Sequence, residues 1–403
     1  MMQQLVVSRK DGREARLLPC DPEPGSLAEG EVLMRVLKTY VTANTVTYAM
    51  AGEDKLLNYN AHFPLADTEY ARSPAWGVAV VAASRSPGIE PGTRVGGLFP
   101  VAPWCILRPV GAPRNMRFVD GTEHRQRFFK PYLEYVIRPR PDTEDEEDAT
   151  NMSEMGLFMT GWGMPFEATI AAAAAADGGG GAAAPTVLVL TSASSRTALA
   201  AAYTAKHDER LAGLKVVALT SEGNAAYCRG TGLYDVVLAY GEEHQLPVAT
   251  TAVYDMRGNA GMQARVRARL GAKLVAWRSV GMTDVADAAR QQAGADRPAS
   301  NAAAARGGAR ASLYLVFQAT ELYAEKYGQG ALQADMLQAF FEYAQWKMPS
   351  FKAERSFGAE AALGVWRRTV ANECDPAVAY VVSLWPDKAA QAAAELPSAS
   401  ARL

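Results

Sequence analysis

The sequence predicts a two-domain α/β protein in which a β-rich domain precedes a doubly wound parallel sheet. Three observations lead to this fold class. Up to about residue 138, short β-type segments are separated by Gly/Pro turns, which is typical of a barrel or sandwich. Over residues 186–280, continuous apolar segments alternate with helical segments, which predicts parallel strands joined by helices. The length of 403 residues suffices for about two or three domains.

We predict a β-rich domain at 1–150, a parallel-sheet domain at 151–311 and, at 312–403, a helical C-terminal region that completes the fold and ends in a disordered tail. The strands predicted in the β-rich part are Glu31–Val36, Trp76–Ser84 and Arg94–Phe99. The strands predicted in the parallel sheet are Thr186–Leu190, Lys215–Leu219, Asp235–Leu238, Ala252–Asp255 and Lys273–Val280. Buried parallel strands read as continuous apolar runs of this kind.

Helices are predicted at Met152–Thr169, at Arg196–Lys206, after Ser221 and across Ser312–Ala379. In the last range, an apolar stripe indicates a core or dimer contact; its members are Leu332, Met336, Leu337, Phe340 and Phe341. Two stretches biased in composition, 171–184 and 286–311, are rich in Ala and Gly. Because glycine runs do not hold a helix, we predict that both are flexible insertions.

Composition excludes several classes of protein. A formal net charge of −2 gives no basic field for a nucleic acid. No apolar run approaches about 18 residues, so no membrane span is predicted. The four cysteines and four histidines are scattered, which predicts no metal site and no disulfide. The N-terminus lacks the features of a signal peptide. We expect a cytoplasmic protein, although Ala401-Arg402-Leu403 has the form of a peroxisomal address.

Four segments carry a resemblance to a known superfamily: GEVLMRVLKTYVTANTVTYAMAG (30–52), WGVAVVAASRSPGIEPGTRVGGL (76–98), TVLVLTSASSRTALAAAYTAK (186–206) and AVYDMRGNAG (252–261). The chain resembles the zinc-free quinone-oxidoreductase and enoyl-reductase branch of the medium-chain dehydrogenase/reductases. More narrowly, TSASSRTAL and VYDMRGNA are similar to a domain-of-unknown-function family related to these reductases. The resemblance implies a GroES-like substrate domain followed by a Rossmann-type nucleotide-binding domain.

The cofactor loop departs from the superfamily pattern. The glycines of G-x-x-G-x-x-G are replaced by Thr191, Ser194 and Thr197, although glycine normally lets the backbone approach the pyrophosphate. One interpretation is that the dinucleotide site is lost. The other is that hydroxyls of this loop, Ser192 and Ser195 included, now hold a phosphate together with helix N–H groups, with Arg196 adding a charge.

The end of the second strand bears on the choice of cofactor. An NAD site usually has Asp or Glu there, whereas this chain has the neutral Ser221, which favours NADPH. Asn224 replaces a lysine common in this branch, and Arg229 could compensate for the missing charge. The resemblance further implies cofactor contacts by three residues that follow the fourth and fifth strands: Asp255, Gly258 and Gly281.

Candidates for the substrate side are Tyr48 and Asn44, which match the corresponding loop of the zinc-free branch by position. A tyrosine can donate a proton if its reach and pKa suit the task; otherwise Tyr48 packs in the core with its hydroxyl satisfied. Tyr59 and His62 are alternative donors. Ser73–Gly77 replaces the Gly-His-Glu triplet of the zinc-dependent members, so no zinc is expected.

These observations favour an NADPH-dependent reductase of a small or lipid-like enone, enal or quinone. Two alternatives stay open: a non-catalytic binding or interaction protein of the same fold that has lost the dinucleotide, and a protein that binds an acyl-CoA or another phosphate-bearing ligand. The expected partner is a small-molecule substrate. The resemblance is compatible with a homodimer, which no feature of the sequence requires.

Overall fold

The structure, a computed structural model, describes residues 2–54, 57–138, 154–177, 183–280 and 311–396. Clustering of contacts divides the chain into two units. The first unit is Met1–Ser153 together with Ser350–Leu403, and the second is Glu154–Pro349. The first unit is therefore built from both ends of the chain.

The strands are numbered in chain order through the described residues. They are β1 (Gln3–Ser8), β2 (Ala15–Pro19), β3 (Val32–Val41), β4 (Tyr70–Ala71), β5 (Pro74–Ser84), β6 (Arg94–Pro100), β7 (Trp104–Leu107), β8 (Arg117–Val119), β9 (Glu134–Ile137), β10 (Val187–Thr191), β11 (Lys215–Thr220), β12 (Val236–Ala239), β13 (Thr251–Asp255), β14 (Leu274–Ser279), β15 (Ala311–Leu313), β16 (Lys352–Phe357) and β17 (Val378–Ser383).

The α-helices among the described residues are α1 (Ala43–Met50), α2 (Met155–Asp177), α3 (Arg196–His207), α4 (Glu222–Gly230), α5 (Ala260–Leu270), α6 (Val316–Tyr327), α7 (Gln329–Lys347), α8 (Ala359–Val370) and α9 (Lys388–Ala394). Every strand and helix predicted within 186–280 is present, and the predicted ends differ from the observed ends by at most one residue. The fold class is thus confirmed as a mixed α/β protein with an antiparallel and a parallel sheet.

The first unit is organised around β3. Its large sheet has the order β16-β17-β3-β5-β6-β9-β8, and β7 pairs with the first half of β3. A smaller sheet has the order β2-β1-β4. The pairs are antiparallel except for β16 and β17, which are parallel and joined through α8. The ten residues of β3 are nearly all buried, so this strand forms the centre of the unit.

The helical prediction for Ser312–Ala379 holds for α6, α7 and α8 and is wrong for the strands within that range. The segment Lys352–Phe357 is strand β16, and Val378–Ser383 is strand β17. The physical reason is pairing over a long range, since Tyr380–Val382 of β17 lie opposite Thr39–Val41 of β3. A neighbouring strand from the start of the chain completes this sheet, and the local pattern contains no sign of it.

The second unit contains a parallel sheet with the strand order β12-β11-β10-β13-β14-β15. The order is that of a doubly wound Rossmann-type sheet, which runs outwards from its first strand in both directions. Strands β10, β11 and β13 are almost completely buried. One apolar cluster, to which α2 and α3 contribute, includes Leu188 and Leu190 of β10, and another includes Val187 and Val189 of the same strand.

The alanines of 171–177 continue helix α2, so the prediction of a flexible insertion that begins at Ala171 is wrong for these residues. Alanine has the highest intrinsic helix propensity, and Pro165 lies inside the same helix without ending it. Several segments lie outside the described residues. They are the glycines at 178–181, nearly all of the second biased stretch, the acidic segment 142–148 and the tail with Ala401-Arg402-Leu403.

The predicted apolar stripe of α7 divides between the core and the surface. Phe340 and Leu332 are buried in the large cluster of the second unit, and Met336 packs partly against it. By contrast, Leu337 is 47% exposed and Phe341 is 54% exposed. The stripe is therefore wider than the face that the helix buries.

Close packing of α2 on α3 depends on Gly161. A Cβ atom at this position would lie 2.2 Å from the carbonyl oxygen of Thr197, whereas a Cβ at Gly156 of the same helix meets nothing within 4 Å. We expect Gly161→Ala to lower the free energy of unfolding by about 1–3 kcal/mol through overpacking. The control Gly156→Ala should raise it by about 0.5–1 kcal/mol, since alanine is the better helix former.

Urea denaturation of both variants measures this difference. Because the two substitutions are chemically identical and share one helix, any effect of propensity is common to both. Equal stability of the two variants would contradict the described contact between α2 and α3.

Candidate functional site

The candidate site lies at the carboxyl ends of the strands in the second unit. Chain order reverses between β10 and β13, which are neighbours in the sheet. In open α/β sheets, ligands bind outside the carboxyl ends of the strands at this switch point. The residues that follow β10 and β13 therefore decide what the site can bind.

A hydrogen bond between Thr191 and Asp255 joins the ends of these two strands. Thr191 Oγ1 donates to Asp255 Oδ1 at 2.8 Å, and it accepts from the backbone N–H groups of Met256 at 2.8 Å and Arg257 at 3.0 Å. Both side chains are buried. The position of the first predicted loop residue, Thr191, is thus fixed by the turn that follows the neighbouring strand.

Asp255 also orders the turn after β13. Its Oδ1 accepts from the N–H groups of Arg257 and Gly258 at 3.0 and 3.1 Å, and its Oδ2 accepts from Gln263 Nε2 at 2.8 Å. Gly258 has a φ of +77°, a left-handed conformation that glycine adopts without strain. Two of the residues that the resemblance implied as cofactor contacts, Asp255 and Gly258, therefore lie next to Thr191 at the switch point.

The loop after β10 makes its turn without glycine. Ser192 has a φ of +47°, a left-handed conformation that is uncommon for residues with a side chain. Ser195 is the N-cap of α3 and accepts from Ala198 N–H at 3.3 Å. Ser194 Oγ accepts from Asn224 Nδ2 at 3.0 Å. The structure therefore brings Asn224 next to the loop that contains Thr191, Ser192, Ser194 and Ser195.

Arg196, which was predicted to add a charge for a phosphate, forms a buried ion pair inside the protein. Its Nε lies 3.0 Å from Glu154 Oε1, and the other carboxylate oxygen accepts from Lys347 Nζ at 2.6 Å. Burial lowers the pKa of Lys347 to about 8, with Arg196 opposing the charge and Glu154 favouring it. The guanidinium of Arg196 thus serves to hold α3 against Glu154.

Sequence reasoning missed two residues beside the loop, Tyr240 and Arg257. Ser192 N–H donates to Tyr240 Oη at 2.8 Å, and the guanidinium carbon of Arg257 lies 3.6 Å from the centre of the Tyr240 ring. Tyr240 follows β12 and Arg257 follows β13. Their positions just after predicted strands are the sequence signal that could have identified them as site residues. They give the site an aromatic face and a cation that the loop itself lacks.

The remaining cofactor candidates are exposed or lie elsewhere. Ser221 is the N-cap residue of α4 without a side-chain cap hydrogen bond, and it is exposed, as is Arg229 in the same helix. Thr197 is half-buried in the first turn of α3. Gly281 lies outside the described residues.

In the first unit, Tyr48 belongs to a cluster of aromatic side chains. Its hydroxyl accepts from Trp76 Nε1 at 3.2 Å and lies within hydrogen-bonding reach of Asn44 and Tyr132. The hydroxyls of Tyr59 and Tyr132 are 3.0 Å apart. Burial raises the pKa of Tyr48 well above its ordinary value. Tyr48 therefore keeps its proton at neutral pH and is connected to Tyr59 through Tyr132.

The side chains that could form a metal site in the part of the chain that the structure describes are those of His, Cys, Asp and Glu. No group of three or more His, Cys, Asp or Glu side chains there could hold a metal ion. The four cysteines are free thiols, and Cys20, Cys105 and Cys228 are buried. Of the helices in the described ranges, none is both long and apolar enough to cross a membrane.

Comparison with known families identifies the chain. The model of the family described as "Protein of unknown function (DUF2855)" matches residues 40–375, which include the whole second unit with the candidate site and much of the first unit. The chain belongs to the DUF2855 family. Among curated proteins, none matches its sequence.

Several solved structures are similar to this DUF2855 protein. CurA from Vibrio vulnificus in complex with NADPH has a TM-score of 0.60 at 15% identity, and the match covers 94% of this chain and 98% of CurA. Mycobacterial Rv1454c complexed with NADPH has a TM-score of 0.54 at 14% identity, and the match covers 95% of this chain and 100% of Rv1454c. A quinone oxidoreductase of Pseudomonas syringae pv. tomato DC3000 has a TM-score of 0.53 at 12% identity, and the match covers 94% of this chain and 100% of the oxidoreductase. The fold is that of the two-domain medium-chain dehydrogenase/reductases.

The importance of the Thr191–Asp255 hydrogen bond can be measured directly. We expect Thr191→Val to lower the free energy of unfolding by about 1–3 kcal/mol, because it removes the buried hydrogen bonds that Thr191 Oγ1 makes with the N–H group of Met256 and with the Asp255 carboxylate. Thr186→Val is the matched control, since Thr186 is exposed just before the same strand and its side-chain hydroxyl bonds Thr250, which is partly exposed. Chemical denaturation of both variants tests this, and an equal loss in the two would contradict it.

Proposed function

We propose that this DUF2855 protein is an NADPH-dependent reductase that transfers a hydride to a small or lipid-like enone, enal or quinone. The observation that carries the proposal is the hydroxyl-lined loop at the switch point, which leads from Thr191 into the capped helix α3. The N-terminus of a helix attracts anions through its free N–H groups and its dipole. CurA and Rv1454c, which share the fold, were solved with NADPH.

The residues present are compatible with a diphosphate at this loop. Ser192 adopts the left-handed conformation that a glycine would supply, so the tight turn is kept. The hydroxyls of Ser194 and Thr197 can donate to phosphate oxygens. Arg257, whose backbone bonds Thr191 and whose guanidinium stacks on Tyr240, provides positive charge beside the loop. In this proposal, side chains contact the diphosphate, whereas in glycine-rich loops the backbone approaches it closely.

NADPH is favoured over NADH by the end of β11. Ser221 directly follows this strand, where an NAD site would have a carboxylate for the ribose hydroxyls. Its neutral, exposed side chain leaves room for a 2′-phosphate, and Arg229 of α4 is an exposed cation in the following helix.

When bound, NADPH supplies a hydride to the electrophilic carbon of the substrate and is oxidised to NADP⁺. Reduction is complete when a proton reaches the carbon or oxygen that gains negative charge. We assign that proton to the Tyr48 hydroxyl, with Asn44 as its neighbour. The connection through Tyr132 to Tyr59 provides a route by which Tyr48 can be reprotonated.

The cofactor loop is tested with a pair of nearly isosteric variants. Thr197→Asp places a negative charge in the first turn of α3, and we expect it to weaken NADPH binding at least about tenfold, which is 1.4 kcal/mol. Thr197→Asn adds the same bulk without charge and should stay close to wild type. An acidic residue in a first helical turn is favourable for folding, so both proteins should fold.

Calorimetric titration of the full-length proteins with NADPH measures the effect. If Thr197→Asp binds NADPH as tightly as Thr197→Asn, the loop does not face the diphosphate and its assignment is wrong.

The proton donor is tested by removing one hydroxyl. Tyr48→Phe should lower kcat for protein-dependent NADPH oxidation by about 10²-fold or more, as is typical for loss of a general acid. The control is Tyr135→Phe, which removes another buried tyrosine hydroxyl of the same unit, one that donates to the Leu98 carbonyl at 2.7 Å. An equal effect on kcat in the two variants would show that Tyr48 has only a structural role.

A non-catalytic protein of the same fold is the second candidate. Two groups expected to face a phosphate are engaged within the second unit, since Ser192 N–H donates to Tyr240 and Arg196 pairs with Glu154. Steady NADPH oxidation with any enone, enal or quinone, dependent on the protein, would exclude this candidate. A folded protein that binds neither NADPH nor NADH at millimolar concentration would favour it.

A further inference from the structure

Three buried charged side chains meet behind the candidate cofactor loop. Glu154, which precedes α2, has one carboxylate oxygen 2.6 Å from Lys347 Nζ and the other 3.0 Å from Arg196 Nε. The side chains of Glu154 and Lys347 are 1% and 5% exposed, and that of Arg196 is 11% exposed. Arg196 is the first residue of α3 and directly follows the N-cap Ser195. The cluster is therefore attached to the helix turn at which the diphosphate is proposed to bind.

Lys347 is the member of this cluster whose charge can change near neutral pH. Burial lowers the pKa of Lys347 to about 8, and the Glu154 carboxylate opposes this shift while the Arg196 guanidinium adds to it. Tyr343 also faces Lys347, with its ring centre 5.7 Å from Nζ, and it keeps its proton because burial raises the pKa of Tyr343 well above its ordinary value. An arginine guanidinium stays charged throughout. A rise in pH from about 7 to about 9.5 therefore removes the positive charge of Lys347 first.

A positive charge behind the first turn of α3 strengthens the binding of an anion there. The N–H groups and the dipole of the helix already favour negative charge at this end. Counterions screen a buried charge much less than they screen a charge on the surface. Binding and protonation are reciprocal, so protonated Lys347 favours the diphosphate as much as the diphosphate favours the proton on Lys347. The affinity is thus highest when Lys347 is protonated and falls when it loses its proton.

We propose that Lys347 is a positioning residue of the cofactor site, which makes the affinity for NADPH depend on pH by holding a removable positive charge behind the first turn of α3. Lys347 acts through Glu154, Arg196 and the helix, and it contacts neither NADPH nor the substrate. The proposal rests on the proposed function, because it concerns NADPH at the same loop.

Calorimetric titrations of the full-length protein with NADPH, at pH values from about 7 to about 9.5, measure the effect. The 2′-phosphate keeps its charge in this range, because its second pKa is about 6. We expect the Kd to be lowest near pH 7 and to rise at least about threefold by the end of the series. NADPH binding with a constant Kd would overturn this proposal and leave the reductase proposal standing. No NADPH binding at any pH of the series would overturn both.

Two substitutions of Lys347 assign the pH dependence to this residue. Lys347→Met removes the charge and keeps an unbranched stem, so NADPH should bind with the weaker, high-pH affinity throughout the series. Lys347→Arg stays charged throughout, so it should keep the tighter affinity up to the highest pH. A merely structural role would change the affinity and leave the pH profile as it is in wild type. If Lys347→Met keeps the wild-type pH profile, another group causes it and the proposal is overturned.

Lys206→Met is the matched control on the same helix. Lys206 lies in the last turn of α3, is 46% exposed and pairs with Asp235 at 3.3 Å. Because solvent and salt screen this charge, we expect the Kd and the pH profile of wild type. A flat profile in Lys206→Met would show that the affinity follows the overall charge of the protein rather than the buried cluster, which would overturn the proposal.

A measurement without NADPH tests whether Lys347 releases its proton in this range. A lysine in an unfolded chain has a pKa of about 10.4, whereas burial lowers the pKa of Lys347 to about 8. The unfolded chain therefore binds more protons between these values, and the free energy of unfolding of wild type should rise with pH relative to that of Lys347→Met. A constant difference between the two proteins from about pH 7 to about pH 10 would mean that Lys347 keeps its charge, which would overturn the proposal.

Discussion

The hydrogen bond between Thr191 and Asp255 is the contact on which the candidate cofactor site depends. It joins the ends of the two strands between which the parallel sheet changes direction. The same threonine oxygen accepts two N–H groups of the following turn, and the same carboxylate orders Gly258 and Gln263. The start of one loop and the turn that follows the neighbouring strand are therefore joined by hydrogen bonds, and any ligand at the switch point meets both.

Because Thr191 is fixed in this way, the loop that follows must turn sharply with side chains in place of glycines. Ser192 accepts the strain of a left-handed backbone, which costs on the order of 1–3 kcal/mol. The N–H group of Ser192 donates to the Tyr240 hydroxyl, and the Tyr234 hydroxyl donates to the carbonyl of Ala193 at 2.5 Å. Strain of this kind persists where the surroundings over-determine the backbone, and it concentrates at functional sites.

Local sequence patterns predicted five of the six strands that the parallel sheet has in the described residues, but neither its edge strand β15 nor the contacts around the sheet. The strand that ends at Thr191 follows from a continuous apolar run, and the helix after Ser195 follows from periodicity and a capping serine. By contrast, Glu154 meets Arg196 from 42 positions earlier in the chain, and β16 and β17 pair with a strand from its beginning. Such contacts depend on topology, and a single sequence carries no local signal for them.

The central claim is that the glycine-free loop holds the diphosphate of NADPH. Amide hydrogen exchange of the full-length protein, with and without saturating NADPH, tests it most directly. The account predicts slower exchange in two segments, residues 192–198 and 256–258, because the ligand covers their N–H groups and stabilises the loops that Thr191 and Asp255 hold together. Unchanged exchange in both segments, with protection elsewhere or nowhere, would contradict it.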